Sequence, residues 1–183
     1  GTKNHPYNED DITNPINIYG KSKLEGEKNI QVTTERFLIF RTSWIYSNRR
    51  KNFYKTILRL LKQKKEIKVV NDQIGSPTNA GEVASKIFES IKYIDKRYFD
   101  SNSFWGLYHM TSSGKTSWYK FAKKILLYSR FKNKVSISPI LSKDFTQTKR
   151  PKYSVLNNHK LNSNLNIYLE DWKDQFRSFL NNI

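Results

Sequence analysis

The feature that most constrains this chain is the run Phe37-Leu38-Ile39-Phe40-Arg41-Thr42, whose nearly continuous apolar character suits a strand buried in a parallel sheet. Such a strand needs helices against its faces. The sequence offers them in alternation with further strands. From Asn52, residues Phe53, Ile57, Leu58, Leu60 and Leu61 recur at helical spacing. Ile67 to Val70 reads as a short strand, and Asn71 to Thr78 as a loop punctuated by Gly75 and Pro77. Ala80 to about Ile94 predicts a helix with Val83, Ala84, Ile87, Phe88 and Ile91 inward, and Trp105 to Met110 a strand. After a turn over residues 111–114, Ser117 to Ser129 predicts another helix, followed by a short strand at residues 135–137. The stretch from Leu141 to Leu156 is irregular. The last expected helix runs from about Leu169 to Leu180, with Trp172, Phe176, Phe179 and Leu180 on one face. Alternating strands and helices are an α/β signature.

Composition narrows the class. A chain of 183 residues with 37% hydrophobic content, 4 Trp, 11 Tyr and 11 Phe can bury one moderate core and is not a disordered sequence. The absence of cysteine excludes disulfides and thiolate metal sites and fits a reducing compartment. No apolar run is long enough for a bilayer, and Gly1-Thr2-Lys3-Asn4-His5 lacks signal-peptide character, so the expectation is a soluble, cytoplasmic protein with no membrane partner. The formal net charge of +17 raises nucleic-acid binding, and Arg49, Arg50, Lys51, Lys55, Arg59, Lys62, Lys64 and Lys65 do bunch. The remaining lysines are dispersed among abundant Asn and Ile. That pattern favours a solvated basic helix over a specific nucleic-acid surface.

The chemistry concentrates near the N-terminus. The acidic run Glu9-Asp10-Asp11 reads as surface loop leading into a helix, with Asn14 suited to the cap and Pro15 to the first helical position. That helix, continuing to about Asn29, carries Tyr19 and Lys23 on one face about one turn apart. A phenol with an ordinary pKa of about 10 exchanges protons poorly at neutral pH, and a neighbouring ammonium favours phenolate. The same spacing also fits an amphipathic edge with a solvated lysine. After the first strand, Ser43-Trp44-Ile45-Tyr46 leaves its carboxyl end, where open α/β sheets bind ligands. His109 falls in a strand and reads as a satisfied core histidine. No metal-ligand spacing is present.

Taken together, several segments resemble the dTDP-4-dehydrorhamnose reductase family of the extended short-chain dehydrogenase/reductases. They are Tyr19-Gly20-Lys21-Ser22-Lys23-Leu24-Glu25-Gly26-Glu27, Phe40-Arg41-Thr42-Ser43-Trp44-Ile45-Tyr46, Asn52-Phe53, residues 71–78, Gly106-Leu107-Tyr108-His109 and Arg150-Pro151. The resemblance implies that Tyr19 protonates the C4 keto oxygen of dTDP-4-dehydro-L-rhamnose while NADPH or NADH supplies hydride, giving dTDP-L-rhamnose. It implies that Lys23 lowers the tyrosine pKa and binds the nicotinamide ribose, so both residues also contact cofactor. Trp44 resembles the family's sugar-contacting residue, with ordinary core packing as the alternative. Arg150 matches an arginine-proline step near the nucleotide-sugar, where a guanidinium can grip a diphosphate, although a solvated loop arginine fits equally. Gln73, Ser76 and Thr78 match a family loop whose glycine and proline can also simply shape a turn. A divalent ion such as Mg2+ is associated with the family.

The resemblance also implies an incomplete Rossmann-type doubly wound parallel sheet, with one partial domain over residues 1–183 and a C-terminal substrate-binding region concentrated in 71–78 and 105–183. The seven glycines, Gly1, Gly20, Gly26, Gly75, Gly81, Gly106 and Gly114, do not form the family's dinucleotide fingerprint. The family's Ser/Thr that completes the catalytic triad has no counterpart either. The expectation is negligible reductase activity from this chain alone and an exposed sheet edge at the Phe37 run. A separately encoded N-terminal half, self-association or an artefactually truncated reading frame would each explain the sequence. A non-catalytic sugar-nucleotide-binding or regulatory module is the competing expectation.

Overall fold

The computed structural model describes residues 3–97, 104–145 and 150–183. In chain order it contains α1 (Ile18–Thr33), β1 (Leu38–Arg41), β2 (Ile45–Tyr46), α2 (Phe53–Gln63), β3 (Glu66–Val70), β4 (Ile74–Gly75) and β5 (Thr78–Asn79). These are followed by α3 (Ala80–Arg97), β6 (Gly106–His109), β7 (Thr116–Ser117), α4 (Trp118–Leu127), β8 (Ser136–Ile140), α5 (His159–Leu165) and α6 (Trp172–Asn181). Among the described residues the strands pair in twos. β1 with β6, β2 with β5 and β3 with β8 are parallel, whereas β4 and β7 are antiparallel. The parallel pairs connected through helices give the expected α/β class.

Helix α1 starts later than the sequence predicts. Asn17, not Asn14, is the cap: its backbone is extended (φ −146°, ψ 167°) and its side-chain oxygen accepts the Gly20 N–H at 2.8 Å. Pro15 therefore precedes the helix. At the other end the helix runs to Thr33, one turn beyond Asn29, and no α1 residue is buried. Strand β1 is also less buried than an apolar run suggests, since all four residues are half-buried. Its one described neighbour is β6, with Leu38 opposite Gly106 and Arg41 opposite His109.

Two apolar clusters hold the fold. The larger packs α2, α4 and α6 over β3 and β8, with Tyr54, Ile57, Leu61, Ile67, Phe121, Ile125, Trp172 and Phe176 buried. Caps fix the helices that build it: Asn52 accepts from Lys55, Ser117 from Lys120 and Asp171 from Lys173. The smaller joins β6 to α3 and α5 through Tyr108, Met110, Leu161, Leu165, Ile167 and Ile94.

Three expectations need correction. On α3, Val83 and Ile87 face inward as expected, but Phe88 and Ile91 are 67% and 51% exposed and Ala84 is exposed; Ser90 and Ile94 complete the inward stripe. Ser90 can sit inside because its hydroxyl bonds the Lys86 carbonyl at 2.7 Å, one turn back. Residues 71–78 are not simple loop, since β4 and the start of β5 lie within them. Helix α5 was not expected at all. It is anchored by Leu161 and Leu165, fully buried four residues apart, and ends at Asn166 in the left-handed conformation (φ 52°).

Phe176 is the aromatic hub of the larger cluster, with edge-on contacts to Tyr46 at 5.8 Å and Phe121 at 5.3 Å. Truncating it leaves a ring-sized cavity that rigid neighbours cannot close. Phe176→Ala is expected to lower unfolding free energy by about 3–5 kcal/mol, as measured by urea denaturation with an unchanged slope.

Candidate functional site

The Tyr19 and Lys23 side chains meet as the helical spacing requires, with the Lys23 ammonium 5.7 Å from the Tyr19 ring centroid. Both are exposed, Tyr19 by 71%, so the phenol is open to a ligand. The helix is fastened to the sheet two turns further on. Glu27 accepts two parallel bonds from Arg41, at 2.8 Å from Nε and 2.6 Å from the terminal nitrogen. A bidentate, half-buried pair of this kind fixes orientation as well as distance. It ties α1 to the carboxyl end of β1.

Beside Arg41, at the end of β6, lies His109. It is 1% exposed, in the core as expected. Its Nδ1 lies 3.1 Å from the Tyr7 carbonyl, and the Asn157 backbone also interacts with the ring. Its backbone N–H donates to the Glu9 carboxylate at 2.7 Å. Glu9 is thus no surface-loop residue: its side chain is 6% exposed, and residues 7–9 lie against residues 155–157 through Tyr7 N–H to Val155 and Asn157 N–H to Tyr7. Burial depresses the His109 pKa below its ordinary value; the Glu9 carboxylate opposes that shift and Arg41 adds to it.

A second group of residues gathers around Trp44, three positions beyond β1. Its backbone is left-handed (φ 50°), rare for a bulky residue. Its ring lies on that of Trp118, with centroids 3.5 Å apart and planes within 5°. Trp118 is backed in turn by Phe53 at 4.3 Å. A Cβ at Gly75 would stand 2.3 Å from the Trp44 ring, so only glycine leaves room for it. The Ser43 hydroxyl, next to Trp44, is buried without a partner.

Arg150 is exposed. Ile74 N–H donates to the Lys152 carbonyl at 2.8 Å, and Ser154 N–H to the Ile74 carbonyl at 2.9 Å, so the Arg150 segment is laced to β4 beside Gly75. Ser76 and Thr78 are completely buried, and their hydroxyls bond the Gly114 carbonyl (2.6 Å) and the Ser76 carbonyl (3.0 Å). Gln73 is buried as well. The structure therefore brings Trp44 and the 71–78 segment together, leaves Arg150 exposed two residues before the Lys152 that bonds β4, and places Tyr19 and Lys23 on a separate helix tied to β1 through Glu27 and Arg41. Sequence reasoning missed Trp118 and Glu9. Trp118 had a signal, since it directly follows a Ser117 cap; the burial of Glu9 inside an acidic run had none.

Among the described residues, no three His, Asp or Glu side chains are grouped to hold a metal ion, so the Mg2+ implied by resemblance has no donor set here. No helix among them is long and apolar enough to cross a membrane.

Parallel strands joined through helices, with a tyrosine and a lysine four apart on α1, define an α/β fold of the extended short-chain dehydrogenase/reductase type. The RmlD substrate binding domain family matches residues 1–183, and the chain belongs to that family. It is 36% identical to dTDP-4-dehydrorhamnose reductase of Escherichia coli, over 100% of this chain and 62% of the relative. It is 37% identical to the spore coat polysaccharide biosynthesis protein SpsK of Bacillus subtilis, over 98% of this chain and 59% of the relative. Among solved structures, the Bacillus anthracis dTDP-4-dehydrorhamnose reductase in complex with NADP superposes with a TM-score of 0.86 at 35% identity, covering 97% of this chain and 60% of that one. The chain thus spans about three fifths of the length of these relatives.

The buried histidine generates a pH dependence. Because the folded state resists protonating His109, the unfolded state takes up the proton first as pH falls below about 6.5, and stability is lost below that point. Unfolding free energy is expected to decline between pH 7.5 and 5.5, at up to about 1.4 kcal/mol per pH unit for this single group. His109→Asn should flatten the slope in denaturant titrations across that range.

Proposed function

We propose that this chain carries the proton-donating and nucleotide-sugar-binding part of an NADPH-dependent dTDP-4-dehydrorhamnose reductase, which makes dTDP-L-rhamnose for cell-surface polysaccharide. The observation that carries the reading is the exposed Tyr19 phenol with the Lys23 ammonium beside it, in a chain of this family. Two accessible hydrogen-bonding groups on one helix face fit a nicotinamide ribose and a keto oxygen together. Bound NADPH supplies the hydride that reduces C4 of the 4-keto sugar.

The chain's own residues do the rest. Tyr19 donates its hydroxyl proton to the C4 oxygen as that oxygen gains negative charge. Lys23 stabilises the resulting phenolate and holds the ribose hydroxyls. Trp44 contacts the sugar, and the Arg150 guanidinium pairs with the diphosphate, for which its exposure on a segment laced to β4 leaves it free. The adenosine and pyrophosphate of the cofactor require a glycine-rich turn that these 183 residues do not contain. In this reading that turn belongs to polypeptide matching the remaining part of the relatives, in a second chain or in the same one. Ile12, Ile18 and Val32, 95%, 85% and 84% exposed around α1, offer the apolar surface for it.

The test is reconstitution with the N-terminal half of a homologous reductase, following NADPH oxidation with dTDP-4-dehydro-L-rhamnose. Tyr19→Phe is expected to cut kcat by about 10²-fold or more while leaving dTDP-L-rhamnose affinity nearly unchanged. Lys23→Ala should reduce both NADPH affinity and rate. Undiminished turnover by Tyr19→Phe would sink the proton-donor role. A complemented chain that binds dTDP-L-rhamnose without any turnover would instead mark a non-catalytic binding module.

A further inference from the structure

The Trp44 ring has no free face. Trp118 covers one side, nearly parallel and at 3.5 Å. The other side belongs to Gly75. A Cβ built there would lie 2.3, 2.5 and 2.8 Å from Cε2, Nε1 and Cδ2 of Trp44, with no Trp118 atom as near. Three adjoining ring atoms at such similar distances mean an approach onto the ring plane, and a position between the two indoles would meet Trp118 first. Gly75 and Trp118 are therefore opposite jaws with one indole between them.

The jaws are rigid relative to each other. Gly75 lies in β4 and pairs with Thr116 of β7, while Ile74 pairs with Ser117, the residue before Trp118. Ser117 also caps α4 and donates its hydroxyl to Asn71 at 2.6 Å, so both ends of the 71–75 segment are pinned to the helix start that carries Trp118. Phe53 supports Trp118 from behind at 4.3 Å. The gap is one aromatic ring wide. Trp44 enters it with a left-handed backbone, and its carbonyl accepts the Thr78 N–H at 3.2 Å. A strained φ and a face-to-face stack, both less favourable than the common alternatives, coincide at one residue.

We infer that Trp118 and Gly75 clamp the Trp44 indole so that its edge, not its face, is presented to the sugar of the nucleotide-sugar, making Trp118 a positioning residue for that ligand. This rests on the functional reading above. It assigns recognition to an indole edge held at a fixed angle, and it makes Gly75 the residue whose lack of a side chain sets that angle. Any substitution that widens or fills the gap should act on sugar recognition and leave nucleotide recognition alone.

The test uses the full chain, titrated by calorimetry with dTDP-L-rhamnose and separately with dTDP, which lacks the sugar. Two stacked indoles also give an exciton couplet in circular dichroism, which reports the clamp without any ligand. Wild type is expected to show the couplet. Trp118→Leu and Gly75→Ala should both abolish it and weaken dTDP-L-rhamnose binding by about tenfold, with dTDP binding unchanged. Trp118→Phe, which keeps a ring against Trp44, should restore most of the affinity although it lacks the second indole. Gly75 has no left-handed backbone that alanine would strain, so Gly75→Ala decides the matter should Trp118→Leu fail to fold. Equal losses for both ligands, or wild-type dTDP-L-rhamnose affinity in Trp118→Leu or Gly75→Ala after loss of the couplet, would overturn the clamp. A wild-type chain that shows the couplet but binds neither ligand would overturn the functional reading, and with it the role given to Trp118.

Discussion

The structure depends most on a buried chain of hydrogen bonds that crosses between its two apolar clusters. Ser112 donates its backbone N–H to the Thr78 hydroxyl at 3.1 Å and its own hydroxyl to Gln175 at 2.6 Å. The same Gln175 oxygen accepts the Asn79 N–H at 3.1 Å. Ser76 closes the chain on the Gly114 carbonyl. Each such bond contributes only about 0.5–1.5 kcal/mol net, but leaving any of these buried groups unpaired costs more, about 1–3 kcal/mol. The network therefore specifies position more than it adds stability. It locks the 71–79 segment against the turn before α4 and against α6, and Gly75, Trp118 and Trp44 inherit their geometry from it.

A second, charged chain fastens α1. Glu27 grips Arg41, Arg41 stands opposite His109 on the neighbouring strand, and His109 is bound to Glu9. Residues far apart in sequence thus meet at the carboxyl ends of β1 and β6, where parallel sheets receive ligands. Helix α1 has no buried residue, so packing alone does not hold it. That arrangement suits a helix whose outer face is meant for another surface, with Tyr19 and Lys23 near its start.

This region carries local costs. Trp44 adopts a backbone conformation that bulky residues avoid, and Ser43 buries an unpaired hydroxyl. Such costs are not confined there: Trp105 and Trp172 bury unpaired indole N–H groups and Gln175 an unpaired amide nitrogen, while the helices themselves are capped.

The sequence by itself determined the α/β class, the starts of α2 and α4 to within one residue and of α6 to within three, and the Tyr19–Lys23 pairing. Each follows from local periodicity, a cap or the helical pitch, which act over a few residues. It misplaced the α1 cap because Asn14 and Asn17 are both competent, and only the extended backbone at Asn17 chooses between them. On α3 it placed Val83 and Ile87 correctly but added Ala84, Phe88 and Ile91, because apolar residues on neighbouring positions compete and the packing partner that chooses among them lies on another element. Tertiary structure alone decided that Glu9 is buried, that Gly75 yields its side-chain space to an indole, and that Trp118 stacks on Trp44. Those facts arise between segments tens of residues apart, and no periodicity within either segment encodes the distance between them.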